Sequence, residues 1–268
     1  MVKVYQNGSE FLEENKEYLD TNKYMSIFFY IDSEFLNITD KDNYAIRVSN
    51  NLDTLLAMKL TPYNLLLFGS NKCLKELLIY LNDNDYSIGG VLSSVEIGDY
   101  LVSISKGLIN ESYEMEIGMD FMEARDILEK TSRDVEVANI NDSSTIKEYM
   151  EKFYVECGLD PSEAPSLEKV ESHIGDYRLI RVNNEIVSIA RKSKATDEAI
   201  KISAVYTKKD KRGMGYARKV VNALKNEILE EGKIAVLNVD KKNPISNHIY
   251  SSLGFKKVFS QGVYKITR

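Results

Sequence analysis

The chain has 268 residues, 43% of them apolar and 28% charged, with four prolines, fourteen glycines and a formal charge of −6. It is long enough for two domains that each bury a core, and its composition excludes collagenous and low-complexity classes. The acidic balance also argues against a nucleic-acid binder or a polybasic membrane adapter.

The opening residues 1–8 lack the apolar core of a signal peptide. The longest apolar runs, residues 27–31 and 65–68, fall far short of the roughly 18 residues a membrane span needs. Residues 26–31, 44–48 and 64–68 read as strands. Gly69-Ser70 then leads into a helix over 73–82, where Leu74, Leu77, Leu78 and Leu81 recur at helical spacing. Residues 113–121 alternate around Met115, Ile117 and Met119, the pattern of a half-buried strand. This half carries no chemical motif. The charged stretch 129–133 marks the expected boundary, giving an N-terminal α/β domain over 1–131 and a second domain over 132–268. Cys73 and Cys157 both fall in helical patterns, and two thiols with two histidines make neither a disulfide framework nor a good zinc set. The expectation is a reduced, cytoplasmic protein without a metal.

The second half opens with a strand at 135–140 and a helix-start signal at Asp142-Ser143-Ser144. A helix follows through Ile146, Met150 and Phe153 to Gly158. Pro161 and Pro165 mark a loop, and Ser166 begins a short helix. Three strands come next, at 177–182, 185–191 and 200–207, the first two joined by a tight turn at Asn183-Asn184. A long helix runs to about Glu231 and stops at Gly232. A strand at 234–239, a short helix ending at Gly254 and two strands at 257–259 and 263–266 complete the chain. The order β-α-α-β-β-β-α-β-α-β-β is that of an α+β fold built on a mixed sheet, with one β-α-β crossover.

Chemistry concentrates between Val205 and Ala217. A strand ends there, a basic loop follows, and Gly213 and Gly215 open a helix. Glycines let backbone amides turn inward without a Cβ in the way, and amides at a helix N-terminus suit a phosphate. The surrounding charge has the right sign: residues 201–268 hold 15 basic and five acidic side chains, against 12 and 22 over residues 1–133. A solvated basic face on a glycine-started helix is the plain alternative. A dinucleotide-binding loop fits poorly, because its third glycine position is Arg218 and no strand-end acid follows at the right distance. The Lys-Ser/Thr phosphate loop is absent.

The sequence here resembles the Gcn5-related N-acetyltransferase superfamily. Its acetyl-CoA motif (Arg or Gln, two free positions, Gly, one free position, Gly or Ala) is met by Arg212-Gly213-Met214-Gly215-Tyr216-Ala217, with the arginine directly before the first glycine. The pattern continues in the strand 234–239, in Asn243-Pro244-Ile245-Ser246-Asn247-His248-Ile249-Tyr250 and in Leu253-Gly254-Phe255. Val205-Tyr206-Thr207 before the loop is similar to a bacterial subgroup with an extra N-terminal domain. The resemblance covers about residues 134–268. For the first half it implies, through the two-domain layout alone, a degenerate copy of the same fold.

The resemblance implies that the backbone from Arg212 to Ala217 holds the pyrophosphate of acetyl-CoA. It also implies that Val205 and Thr207 pair with the pantetheine arm, as an extended diamide can at an open strand edge. Lys208, Lys209, Lys211 and Arg218 are candidates to neutralise phosphates. Asn243 and Asn247 are candidate cofactor contacts, although Asn243 before Pro244 is also an ordinary helix start. Tyr250 is the candidate general acid for the leaving thiolate; alternatively it packs beside Ile249 and Leu253. No general base is evident. The position where related enzymes carry Glu falls near Lys201 and Ser203, Asp197 and Glu198 lie in a hairpin, His248 should point away from Tyr250, and His173 sits in the helical segment.

The expected activity is transfer of an acetyl group from acetyl-CoA to a primary amine of a small cationic metabolite or antibiotic, by direct attack on the thioester. A non-catalytic acyl-CoA-binding module and acetylation of a protein amino group are the alternatives. Neither a nucleic acid nor a membrane is an expected partner, and nothing in the sequence speaks to oligomeric state.

Overall fold

The computed structural model describes residues 1–267. The first half runs β1 (Val2–Val4), α1 (Gly8–Leu19), α2 (Lys23–Ser33), β2 (Tyr44–Ser49), β3 (Thr54–Lys59), β4 (Leu65–Gly69), α3 (Leu74–Asp83), β5 (Val91–Ser94), α4 (Val95–Ile109) and β6 (Ser112–Ala124). The second runs β7 (Val135–Val137), α5 (Ser143–Glu156), α6 (Leu167–Ser172), β8 (Tyr177–Val182), β9 (Glu185–Lys194), β10 (Ala199–Thr207), α7 (Tyr216–Glu230), β11 (Ile234–Asp240), α8 (Pro244–Ser252) and β12 (Lys256–Thr267). The two series correspond element for element. The architecture is a mixed α/β fold laid out twice.

Two compact units result. Unit 1 comprises residues 1–120, 240–242 and the chain from Phe259 onward; unit 2 comprises 121–239 and 243–258. In unit 1, β1 to β4 form an antiparallel meander, β5 lies parallel to β4, and β12 runs antiparallel to β5 from Gln261↔Ser94 to Tyr264↔Val91. In unit 2, β7 to β10 form the meander and β11 lies parallel to β10. Both faces of each sheet are covered, so the strands read as continuous apolar runs. Within β2–β4, Ile46, Leu55 and Leu67 pack under α3 and α4, while the alternate residues Ala45, Leu56 and Phe68 pack with Phe11 and Phe29 of α1 and α2. Unit 2 repeats this, with Val220, Leu224 and Ile228 of α7 on one face and Ile146 and Met150 of α5 on the other.

Three local expectations are corrected. Residues 26–31 are not a strand but the middle of α2: Asn22 caps the helix by accepting from the Met25 amide, and Ser26, Phe29 and Ser33 recur on its buried face. Burial of that face overrides the β-propensity of Ile27, Phe28 and Phe29. The final two strands are one, β12, because the chain stays extended through Gly262 and a Cβ there would lie 2.7 Å from the Tyr264 ring. The strand from 135 ends at Val137, since Asn139 already caps the following turn by accepting from the Asn141 amide.

The charged stretch 129–133 lies within unit 2, where it is bound to α7. Asn222 Nδ2 donates to the Lys130 carbonyl (3.2 Å) and Asn226 Nδ2 to that of Glu129 (2.8 Å). Arg218 pairs with the Glu129 carboxylate at 2.6 Å. Lys225, wholly buried, donates to the carbonyls of Asp126 (3.3 Å) and Leu253 (3.0 Å).

Candidate active site

The site grows from an irregularity in β10. Its antiparallel register with β9 shifts between Ser203 and Tyr206, and Ala204 takes a positive φ of 53°. Its parallel register with β11 runs from Ala199↔Ile234 to Lys201↔Val236 and goes no further. Beyond Lys201 the two strands part, which frees main-chain groups that a flat sheet would consume. Val205 lies inside this irregular stretch. Thr207 lies at its end, its hydroxyl 2.8 Å from that of Ser188.

The loop that follows is short and held at one point. Arg212 Nε donates to the Thr207 carbonyl at 3.0 Å, and its NH2 group reaches both oxygens of Glu156 on α5 at 2.7 Å. The arginine is thus a clasp between strand end, loop and α5, so the Thr207 carbonyl is already engaged. Gly213 and Gly215 both have positive φ, 76° and 79°, where a Cβ is disfavoured. A Cβ built on either would meet nothing within 4 Å, so conformation and not crowding demands glycine there. Gly215 is the N-cap of α7 and no side chain caps that helix. The amides of Tyr216, Ala217 and Arg218 therefore stand at the positive end of a 15-residue helix without a side-chain acceptor, beside an exposed Met214.

The basic charge around the loop is largely answered by acids from earlier in the chain. Lys208 pairs with Glu185, Lys209 lies 3.8 Å from Glu156, Lys211 lies 3.6 Å from Asp210, and Lys219 lies 2.6 Å from Asp134. The hydrogen bond that Lys208 donates to the Glu185 carboxylate holds its ammonium above the ordinary range. Lys209 is the most exposed of these, and exposed pairs are worth at most about 1 kcal/mol, so a phosphate can take their place.

On α8, Asn243 acts as the expected N-cap: its Oδ1 accepts from the Ser246 amide at 3.0 Å, and its carbonyl accepts from Asn247 Nδ2 at 2.8 Å. Tyr250 is buried in the α7–α8 core, its ring 6.1 Å from that of Phe255. Burial pushes its hydroxyl up to about 12, and a hydrogen bond with Ser246 pulls the other way.

The sequence-named base candidates are poorly placed. Asp197 pairs with Lys194 in open solvent, Glu198 and His248 are exposed, and His173 Nδ1 faces Asp176 at 3.3 Å. Lys201 stands out instead. It is the last β10 residue in register with β11, on the strand face opposite the α7-packed Ile202, and burial lowers its ammonium. Glu156, Glu185 and Glu129 were invisible as site components in the sequence because each is distant from the loop along the chain. A cavity of about 420 Å³ adjoins the loop, walled by Glu151, Glu156, Tyr206, Lys208 and Asp210.

The equivalent place in unit 1 has no cradle. The turn after β4 is capped by Ser70, whose hydroxyl is bonded to the Asp53 carboxylate at 2.8 Å, and Gly69 is packed against the Thr54 carbonyl. An acid stands where an anion would have to approach.

Residues 186–263 match the family described as FR47-like protein. No curated protein matches the chain. Among solved structures, a GNAT-family acetyltransferase from Colwellia psychrerythraea is similar over 99% of this chain and 98% of its own, at 12% identity and a TM-score of 0.63. A GCN5-related N-acetyltransferase from Sphaerobacter thermophilus is similar over 88% and 83%, at 14% identity and 0.57. A tandem GNAT protein from the clavulanic acid biosynthesis pathway is similar over 100% and 98%, at 7% identity and 0.53. The chain thus has the fold of these GNAT-family structures over its whole length, laid out in two units, with FR47-like sequence over residues 186–263.

Proposed function

We propose that unit 2 transfers an acetyl group from acetyl-CoA to the primary amine of a small cationic molecule. The observation that carries the reading is the coincidence of three features: strands that part at Lys201, two positive-φ glycines, and an uncapped α7. Together they offer an open strand edge for an amide-bearing arm and, one loop later, free amides for a diphosphate. The residues present fit that substrate, with the backbone of Gly213 to Ala217 on the diphosphate, that of Val205 and the Thr207 amide on the arm, and Asn243 and Asn247 flanking it.

In the transfer, a neutral amine attacks the thioester carbonyl, the C–N bond forms and the C–S bond breaks. Lys201, with its charge disfavoured by burial, is placed to take the proton that the amine sheds. Burial pushes the Tyr250 hydroxyl up to about 12, above an ordinary thiol at roughly 8.5, which favours its neutral form near neutral pH. Its role is therefore to donate a hydrogen bond to the sulfur as negative charge builds there, with the main chain of the parted strand polarising the carbonyl. Holding both reactants along one strand edge supplies the proximity term. A small cationic acceptor is supported by the excess of acids over residues 134–200, 14 against eight basic groups.

The test is the purified protein with acetyl-CoA and a panel of primary amines, read by thiol release and product mass. Thiol release with an acetylated product supports the reading. CoA binding without thiol release across the panel favours a non-catalytic binding module, and absence of CoA binding overturns both.

A further inference from the structure

The first unit contains a groove that the acyl-transfer reading does not use. It has a volume of about 760 Å³, within the range of small-molecule sites, and lies between α2 and the turn that joins β3 to β4. Phe28 and Asp32, at i and i+4 on α2, and Phe35 in the turn that follows the helix form one wall; Pro62 and Tyr63 form the other, with Leu92 among the remaining lining. Phe28, Phe35 and Tyr63 are 43%, 64% and 62% exposed, a cluster of aromatic surface where scattered single residues would be ordinary. The turn is fixed from below: Lys59, itself buried, donates to the Tyr63 carbonyl.

Asp32 is the feature without an explanation in the fold. Asp32 is only 8% exposed, and among the described residues its carboxylate meets neither a hydrogen-bond donor nor a cation. Burial alone acts on it, pushing its carboxyl up from the usual carboxylate range. A carboxylate so shielded and without a partner in the protein is favoured by any ligand that brings one. Here the residual opening gives onto the groove, whose walls are aromatic. A cation entering it gains a charge-assisted hydrogen bond at Asp32 and favourable ring faces around it.

We propose that this groove binds an organic ammonium ion with an apolar body, the ammonium set against Asp32 and the body between Phe28, Phe35 and Tyr63. Charge complementarity selects a cation over an anion, and the aromatic walls select an organic cation over a metal ion. The inference is independent of acyl transfer, since none of the lining residues belongs to unit 2.

The experiment is calorimetric titration of the full chain, without acetyl-CoA at neutral pH, with 2-phenylethylammonium, 2-phenylethanol and 3-phenylpropanoate. The expected result is that the ammonium binds at least tenfold more tightly than the alcohol and that the carboxylate binds most weakly. Asp32→Asn should bring ammonium and alcohol to within about twofold of each other. Asp32→Asn removes a buried unpaired charge, so its unfolding midpoint should match or exceed that of the parent. Tyr63→Ala should weaken ammonium and alcohol alike. A parent protein that binds alcohol as tightly as ammonium, an unchanged preference in Asp32→Asn, or no binding of any probe overturns the proposal. If the ammonium probe is also acetylated, Asp32→Asn should leave thiol release intact; loss of thiol release in this variant overturns the independence of the two sites.

Discussion

Gly215→Ala isolates the phosphate cradle from the stability of the fold. At φ 79° an alanine is disfavoured by about 1–2 kcal/mol, while the stiffer unfolded chain returns roughly 0.4–1 kcal/mol. No steric term adds to this, because the new Cβ meets nothing within 4 Å. The net loss of about 1 kcal/mol lowers the unfolding midpoint by roughly 2–4 °C, and the variant stays folded. The cost to binding should be larger. A methyl group at the mouth of the cradle, or a loop relaxed away from positive φ, removes at least one charge-assisted hydrogen bond worth about 1.5–3 kcal/mol. That is a rise in the Kd for CoA of roughly tenfold to a hundredfold. Pantetheine, which lacks the diphosphate, provides the control. Calorimetry should show CoA weakened and pantetheine unchanged. Equal weakening of both, or no weakening of either, would refute the assignment of this turn to the diphosphate.

Tyr250→Phe should lower kcat by about tenfold to a hundredfold and leave the Kd for CoA within twofold; unaltered turnover removes the tyrosine from the chemistry. Lys201→Met bears on the base. Burial lowers the Lys201 ammonium, so the neutral amine accumulates below the ordinary lysine range and kcat/KM should rise with pH through that lowered value. The methionine variant should lose this limb together with about a hundredfold or more in rate, and a retained limb excludes the role. For stability, burial pushes the Glu227 carboxyl up, but hydrogen bonds from Lys192 and Arg178 outweigh it and hold the group below its ordinary range. Its contribution is present above the unfolded value of about 4.3 and is lost as pH falls through the lower folded value. Glu227→Gln should cost up to about 3 kcal/mol at neutral pH and flatten the acid limb of a urea-midpoint profile. Asn226→Ala should cost about 1–3 kcal/mol in the same assay by orphaning the Glu129 carbonyl, and an unchanged midpoint would show that the linker is not held there.

The second half was legible because its signals are local. Asn183 and Asn184 both take positive φ, 51° and 63°, as their hairpin turn requires, and Ser166 caps α6 by accepting from the Lys169 amide. The glycine turn before α7 belongs to the same class. What escaped was non-local. The run Ile27–Phe29 carries strand-forming residues, and only packing against Phe11 and Phe68 makes it a helix. Asn222, Lys225 and Asn226 look like the solvated side of an amphipathic helix, yet they bind backbone that lies some 90 residues earlier in the chain. Their spacing of three and four was visible; the partner was not. In the same way Arg212 was legible as a motif residue, whereas its clasp on Glu156 depends on α5 being brought alongside.

The assignment of β12 has a consequence for the order in which this protein can be finished. The segment 1–120 belongs to unit 1, but β5 is paired by residues 261–264, which are made only after the whole of unit 2 up to Val258. Of the two units, the one that is begun earlier is therefore completed later. Until the final strand arrives, β5 presents a free edge, and the 120-residue segment behind it must wait in an open state where foreign strands could pair. Loss of residues 261–264 would accordingly injure unit 1, whose main segment is the more distant of the two in sequence.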